Sequence, residues 1–146
     1  MMTNAMLRDI FAECNQKYFG GTIPRCDIRF MEKSTKLGEF YVSFNGWKPH
    51  IRINCDPSAV GLKVWPEWFL RETVLHEMVH AYITLVLKEH DSHPHGKIFH
   101  RVVRQLRKEH GVNTYVNPMA ALHRKSWNPF THLGDLIAGL LFRHLL

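Results

Sequence analysis

The 146-residue sequence predicts an α+β fold, and three observations predict it. Apolar residues recur at helical spacing close to the N-terminus. Three short segments between residues 26 and 54 then alternate apolar with polar side chains. A long, widely apolar helical stretch follows at about 66–88, with a second helical pattern soon after it.

The elements can be justified in order. Over residues 3–19, Met6, Leu7, Ile10, Phe11, Cys14 and Tyr18 fall on one helical face; Thr3 or Asn4 suits the cap and Gly20-Gly21 the end. CDIRFM at 26–31 alternates as a half-buried strand does. LGEFYVSF at 37–44 reads as a second strand closed by the Asn45-Gly46 turn, and HIRIN at 50–54 as a third. Pro57 and Gly61 mark a loop, and Trp65-Pro66 leads into the second helix. There Phe69, Leu70, Thr73, Val74, Met78, Ala81 and Leu85 surround the axis, so most of that helix is expected to be buried. The polar EHDSHPHG at 89–96 breaks it. A third helix is expected over 96–109, with Phe99, Ile98, Val102 and Leu106 inward, Arg101, Arg104, Arg107 and Lys108 outward, and Gly111 at its end. Beyond 112, Pro118 and Pro129 interrupt and no clear period returns until about 133. From there Leu133, Leu136, Ile137, Leu140, Leu141 and Leu145 share a helical face.

Length and composition bound the function. A chain of this size suits one domain, or one domain with a short appendage, and can bury a core without disulfide or metal staples. Its 45% apolar and 22% charged residues are ordinary globular usage. Cys14, Cys26 and Cys55 form no C-x-x-C, which argues against a cysteine zinc ribbon and a disulfide framework and favours a reducing compartment. The start has no apolar signal-peptide core, and no apolar run approaches a membrane span. An intracellular protein, cytoplasmic or nuclear, is therefore expected. The +6 formal charge permits nucleic-acid binding without establishing it.

The chemistry concentrates in His76-Glu77-Met78-Val79-His80, an H-E-x-x-H inside the apolar helix. Residues four apart lie on one face, about 6 Å apart along the axis, so His76 and His80 can hold one metal ion together. Imidazole suits Zn²⁺, leaving Glu77 free to act as general base on a zinc-bound water. The fold expectation sharpens accordingly: a zincin-like α+β domain, with the buried helix carrying two ligands and the following helix the third at its start.

That third ligand is open to His90, His93, His95 and His100. A metzincin would place Gly at 83 and His at 86, where this chain has Ile83 and Val86. His90 lies too near the helix end to return easily, and His93 is restricted by Pro94. His95, beside Gly96 where a helix can fold back, is favoured without being decided by spacing. Glu72 and Asp56 are candidates for orienting the histidines, with surface solvation the competing role; Tyr41, His100 and Tyr115 are candidates for an oxyanion donor.

FAECNQKYFGGTIP, LGEFY, HIRIN, TVLHEMVHAY and HGKIF occur in the order and character of the SprT-like (Spartan-type) zinc metalloprotease domain, which the chain resembles over about residues 7–110. The resemblance implies His95 as third zinc ligand beside His76 and His80, Glu77 as catalytic base, and one catalytic Zn²⁺. It also implies an endopeptidase acting on DNA-associated or DNA-crosslinked proteins, with single-stranded or damaged DNA as a partner. The implied organisation is a metallopeptidase domain over 3–110 and a C-terminal extension over 111–146. That extension has an amphipathic stretch where many such proteins carry a cysteine zinc ribbon, which weakens the transfer of DNA-stimulated activity. Basic residues at 101–108 and at Arg124-Lys125 beside Trp127 suit phosphate contact and stacking; a solvated helix face explains the first group equally well. The competing function is a non-catalytic zinc-containing DNA-binding or regulatory module. An open coordination position would speak for the enzyme.

Overall fold

A computed structural model describes residues 2–114 and 117–126. The chain divides into two compact units, residues 1–116 and 117–146. Among the described residues of the first, α1 (Asn4–Phe19) is followed by β1 (Asp27–Met31), β2 (Gly38–Ser43) and β3 (Lys48–Asn54). A 3-10 turn (Pro57–Val60) leads to α2 (Glu67–Tyr82), a π-helical turn (Ile83–Leu87) and α3 (Lys97–His110).

The local signals in the sequence act as expected. Thr3 Oγ1 accepts from Met6 N–H at 3.3 Å, and Gly20, at φ +60°, closes α1. The sheet order is β1-β3-β2, with β1 parallel and β2 antiparallel to β3. Ile51 and Ile53 on central β3 are fully buried and face the helices, while His50 and Arg52 take the opposite, polar face. α2 packs on α1, β2, β3 and α3. Its Phe69, Leu70, Val74, Met78 and Val79 are fully buried, as the apolar stretch predicts.

Three joints place the site. Trp65 donates its indole N–H to Asn54 O at 2.9 Å, tying the entry of α2 to the end of β3. Asn54, itself fully buried, donates through Nδ2 to Ser34 O at 2.6 Å and Lys36 O at 2.9 Å, fixing the loop that leads into β2. Arg71 on α2 joins Glu13 on α1 at 3.0 Å.

The expectations for the other elements need adjusting in two places. α2 does not continue regularly to 88: after Tyr82 it widens into the π turn, where β-branched Ile83, Thr84 and Val86 crowd the preceding turn, and Lys88 at φ +57° ends it. A further helix, α4 (Pro118–Ser126), stands in the second unit where no periodicity is expected. Asn117 Oδ1 accepts from Met119 N–H at 2.9 Å and Pro118 takes the first helical position, so a residue read as a breaker is in fact a helix starter. The amphipathic stretch from 133, Trp127 and Tyr115 lie outside the described residues. Cys14, Cys26 and Cys55 are free, with the thiols of Cys14 and Cys26 pushed up by burial to about 11 and about 12 and so inert.

Candidate metal centre

His76 and His80 project from one face of α2, and His95 reaches the same point from the residue before the N-cap of α3. One nitrogen from each lies within 4.8 Å of the others. Nε2 of His76 and Nε2 of His95 stand 3.0 Å apart. Tetrahedral zinc with bonds of about 2.05 Å sets its ligand atoms about 3.3 Å apart, so this spacing suits coordination of one ion. Burial, and secondarily the neighbouring His95, pushes His80 down to about 4; burial and His100 lower His95. Both shifts favour the neutral imidazole that binds metal. Phe99, fully buried, forms the floor, its ring centroid 5.0, 4.7 and 4.8 Å from those of His76, His80 and His95.

The order of α3 explains how an exposed His95 is held. Asp91 accepts from Ile98 N–H at 3.1 Å and Phe99 N–H at 2.9 Å, capping the helix from five residues before Gly96. Gly96 is the N-cap and supplies no side chain of its own. Burial raises the Asp91 carboxyl, but these two amides, with His90 and Arg101, lower it further. His90 and His93 border a neighbouring hollow with His80 and do not join the triad.

Glu77 follows His76 on α2 and is 4% exposed. Burial, reinforced by Glu39 and opposed by Lys36, pushes its carboxyl up to about 8. A divalent cation at the histidines would favour the ionised form again. Glu77, the three histidines, Lys36, and Gly38, Glu39, Phe40 and Val42 of β2 border one cleft of about 690 Å³. A Cβ at Gly38 would stand 2.7 Å from Glu77 Oε1, so only glycine leaves the carboxylate its place.

Other sequence candidates separate. Asp56 caps the 3-10 turn through Ser58 N–H at 2.8 Å and pairs with Lys33 at 3.0 Å, the solvated alternative for that residue. Glu72 stays on α2 one turn before His76, its backbone carbonyl taking the Thr114 hydroxyl at 3.3 Å. Tyr41 alternates away from the cleft-lining Phe40 and Val42 and stacks on His50 at 4.9 Å, which removes it as an oxyanion donor. Gly38, Asp91 and the seat of Phe99 are absent from the sequence-derived site. The glycine of LGEFY and the aspartate before H-G are the signals that mark them.

The SprT-like family model matches residues 7–120. The chain is 31% identical over 116 residues to the DNA-dependent metalloprotease SPRTN of Xenopus tropicalis, covering 77% of this chain and 25% of that protein. It is 27% identical over 110 residues to human DNA-dependent metalloprotease SPRTN, with 75% and 22% covered. With the Caenorhabditis elegans DNA-dependent metalloprotease dvc-1 it shares 23% over 124 residues, 81% and 33% covered. The chain thus spans between 22% and 33% of these relatives' length. With a family match across most of its length, on a mixed α+β fold whose three histidines converge as in a zincin, the chain belongs to the SprT-like family.

Proposed function

We propose that this chain carries the peptidase domain of a zinc-dependent endopeptidase acting on proteins held on DNA. The domain spans residues 3–110, with 111–146 as its extension. The observation that supports it most is the sharing of one cleft by a buried carboxylate and three convergent imidazoles, beside an edge strand.

His76, His80 and His95 would hold the zinc, which when bound would polarise a carbonyl and acidify water. Three protein ligands leave room for water and substrate. Glu77 takes the proton of the attacking water and returns it to the departing amine. Gly38 keeps the space in which its carboxylate works. The outer edge of β2 offers its backbone to an extended peptide, which lies along the cleft as an added strand. His100 is the remaining described candidate for steadying the oxyanion, and it is exposed and does not line the cleft.

The role of DNA rests on the printed activity of the relatives, DNA-dependent metalloproteases. An intracellular setting, nuclear or cytoplasmic, follows from that partner. Among the described residues no helix is long and apolar enough to cross a membrane. The test is cleavage of a basic DNA-binding protein by the zinc-loaded chain, with and without single-stranded DNA. Faster cleavage with DNA supports the whole reading; equal cleavage keeps the peptidase and removes the nucleic acid. No cleavage by a zinc-containing chain, across several unfolded and DNA-bound substrates, favours the non-catalytic module.

A further inference from the structure

The hairpin joining β2 to β3 presents two large aromatic side chains to solvent. Phe44 is 94% and Trp47 is 76% exposed, with ring centroids 6.4 Å apart. Exposed rings of this size gain nothing for folding, and Trp47 also sits at φ +52°, a strained conformation for a bulky residue. Gly46, at φ +77°, and Trp47 share the turn between Ser43 and Lys48, and a left-handed turn position does not call for an aromatic side chain.

The next residue, Lys48, lines a groove of about 730 Å³ together with Arg8 and Arg25. The parallel register sets Asp27 beside His50, so Arg25 and Lys48, each two residues earlier, emerge at the same end of the sheet as the hairpin. Among the described residues these three cations have no acidic partner. The acid in the groove, Asp27, is engaged by Arg29 at 2.8 Å and Arg52 at 2.9 Å, and leaves the cations unneutralised.

We propose that this end of the sheet is a single-stranded nucleic-acid site: Arg8, Arg25 and Lys48 take successive phosphates in the groove, and Phe44 and Trp47 stack the bases. The inference rests on the DNA-dependent reading above and locates the partner. Cations within a groove match a thin, charged strand; a flat bilayer cannot reach into one. Aromatic faces accept any base, so the site discriminates little between sequences. β2 runs from this hairpin to Gly38 beside Glu77, ~17 Å at 3.3 Å per residue, so a strand bound here holds its attached protein near the cleft.

The test is fluorescence anisotropy of a labelled dT 12-mer and its RNA counterpart, titrated with the full chain at stepped salt. Trp47→Gly with Phe44→Ala, and Arg8→Ala with Arg25→Ala, are compared with Arg104→Ala/Arg107→Ala on the exposed face of α3. The expected result is binding with a log–log salt slope near −2 for three phosphates. The hairpin and groove variants should each lose about 5- to 100-fold in affinity. The α3 pair should bind as wild type, and all variants should melt no lower than wild type, because the changed side chains are exposed and glycine suits the positive φ at position 47. DNA-tighter and RNA-tighter binding both support the site and name its ligand. Unchanged affinity in the hairpin and groove variants overturns this site while leaving DNA dependence standing. A wild type that binds neither nucleic acid overturns both, and preferential binding to phosphatidylserine vesicles overturns it in favour of a membrane surface.

Discussion

Gly38 and Glu77 approach so closely that a single added methyl group at position 38 would stand 2.7 Å from the Glu77 carboxylate. The edge strand and the active helix are therefore fitted to each other at the atom on which the proposed chemistry depends. Gly38→Ala should leave zinc content unchanged and lower kcat/KM by about 10- to 100-fold, the scale of loss for a displacement near 1 Å. Steady-state kinetics beside metal analysis checks this; full activity would mean that Glu77 can work from another position.

Asp91 and Gly96 make a similar pair beside His95. A Cβ on Gly96 would come 2.5 Å from Asp91 Cγ, so the glycine lets the aspartate reach the first amides of α3. Asp91→Ala should lower zinc affinity by about 10-fold or more, since the helix start that carries His95 loses its cap. Asp91→Asn, which keeps one acceptor oxygen, should lose less. Competition with a chromogenic chelator measures both. Equal affinity in all three proteins would show that His95 is held by other contacts.

On the proposed reading zinc binds the folded arrangement of His76, His80 and His95, so it should also stabilise the fold. With free zinc at 100 times Kd, melting should rise by about 5–10 °C for a chain of this size. His95→Ala should shrink that rise sharply and lower zinc occupancy. A full rise in that variant would move the third ligand elsewhere.

Asp27 gives the fold a pH dependence remote from the metal. Burial raises its carboxyl, but hydrogen bonds from Arg29 and Arg52 and their charges lower it further, below its ordinary value; His50 also faces it at 3.4 Å. The unfolded chain thus binds a proton more readily than the folded one. The stabilisation is complete above about pH 4 and is lost as pH falls through the lowered value. Asp27→Asn should melt about 2–4 °C lower at pH 6, with the gap closing toward pH 2. The effect is small because the carboxylate is partly exposed and solvent screens its pairs. A gap that widens in acid would contradict this sign.

What the sequence disclosed was whatever depends on short-range spacing. The four-residue interval from His76 to His80, the alternation that buries Ile51 and Ile53, and the Thr3 and Gly20 ends of α1 are all local periodicities. His95 needed more: spacing left four histidines open, and only family likeness favoured one strongly. Hidden altogether were relationships made by tertiary approach, such as Gly38 against Glu77, Asp91 reaching forward to Ile98 and Phe99, and Asn54 holding the loop at Ser34 and Lys36. The start of α4 was a different kind of miss. Its Asn117-Pro118 signal is local, but a proline alone reads equally as a breaker.

Glu77→Gln probes the proposed role of Glu77 in the proton transfers of a zinc peptidase. The substitution preserves shape and removes only the basic oxygen, so zinc content should stay at one ion per chain. Hydrolysis of an unfolded protein substrate by the zinc-loaded variant should fall at least about 100-fold relative to wild type. Equal zinc content with undiminished cleavage would contradict the account and strip Glu77 of its role as base.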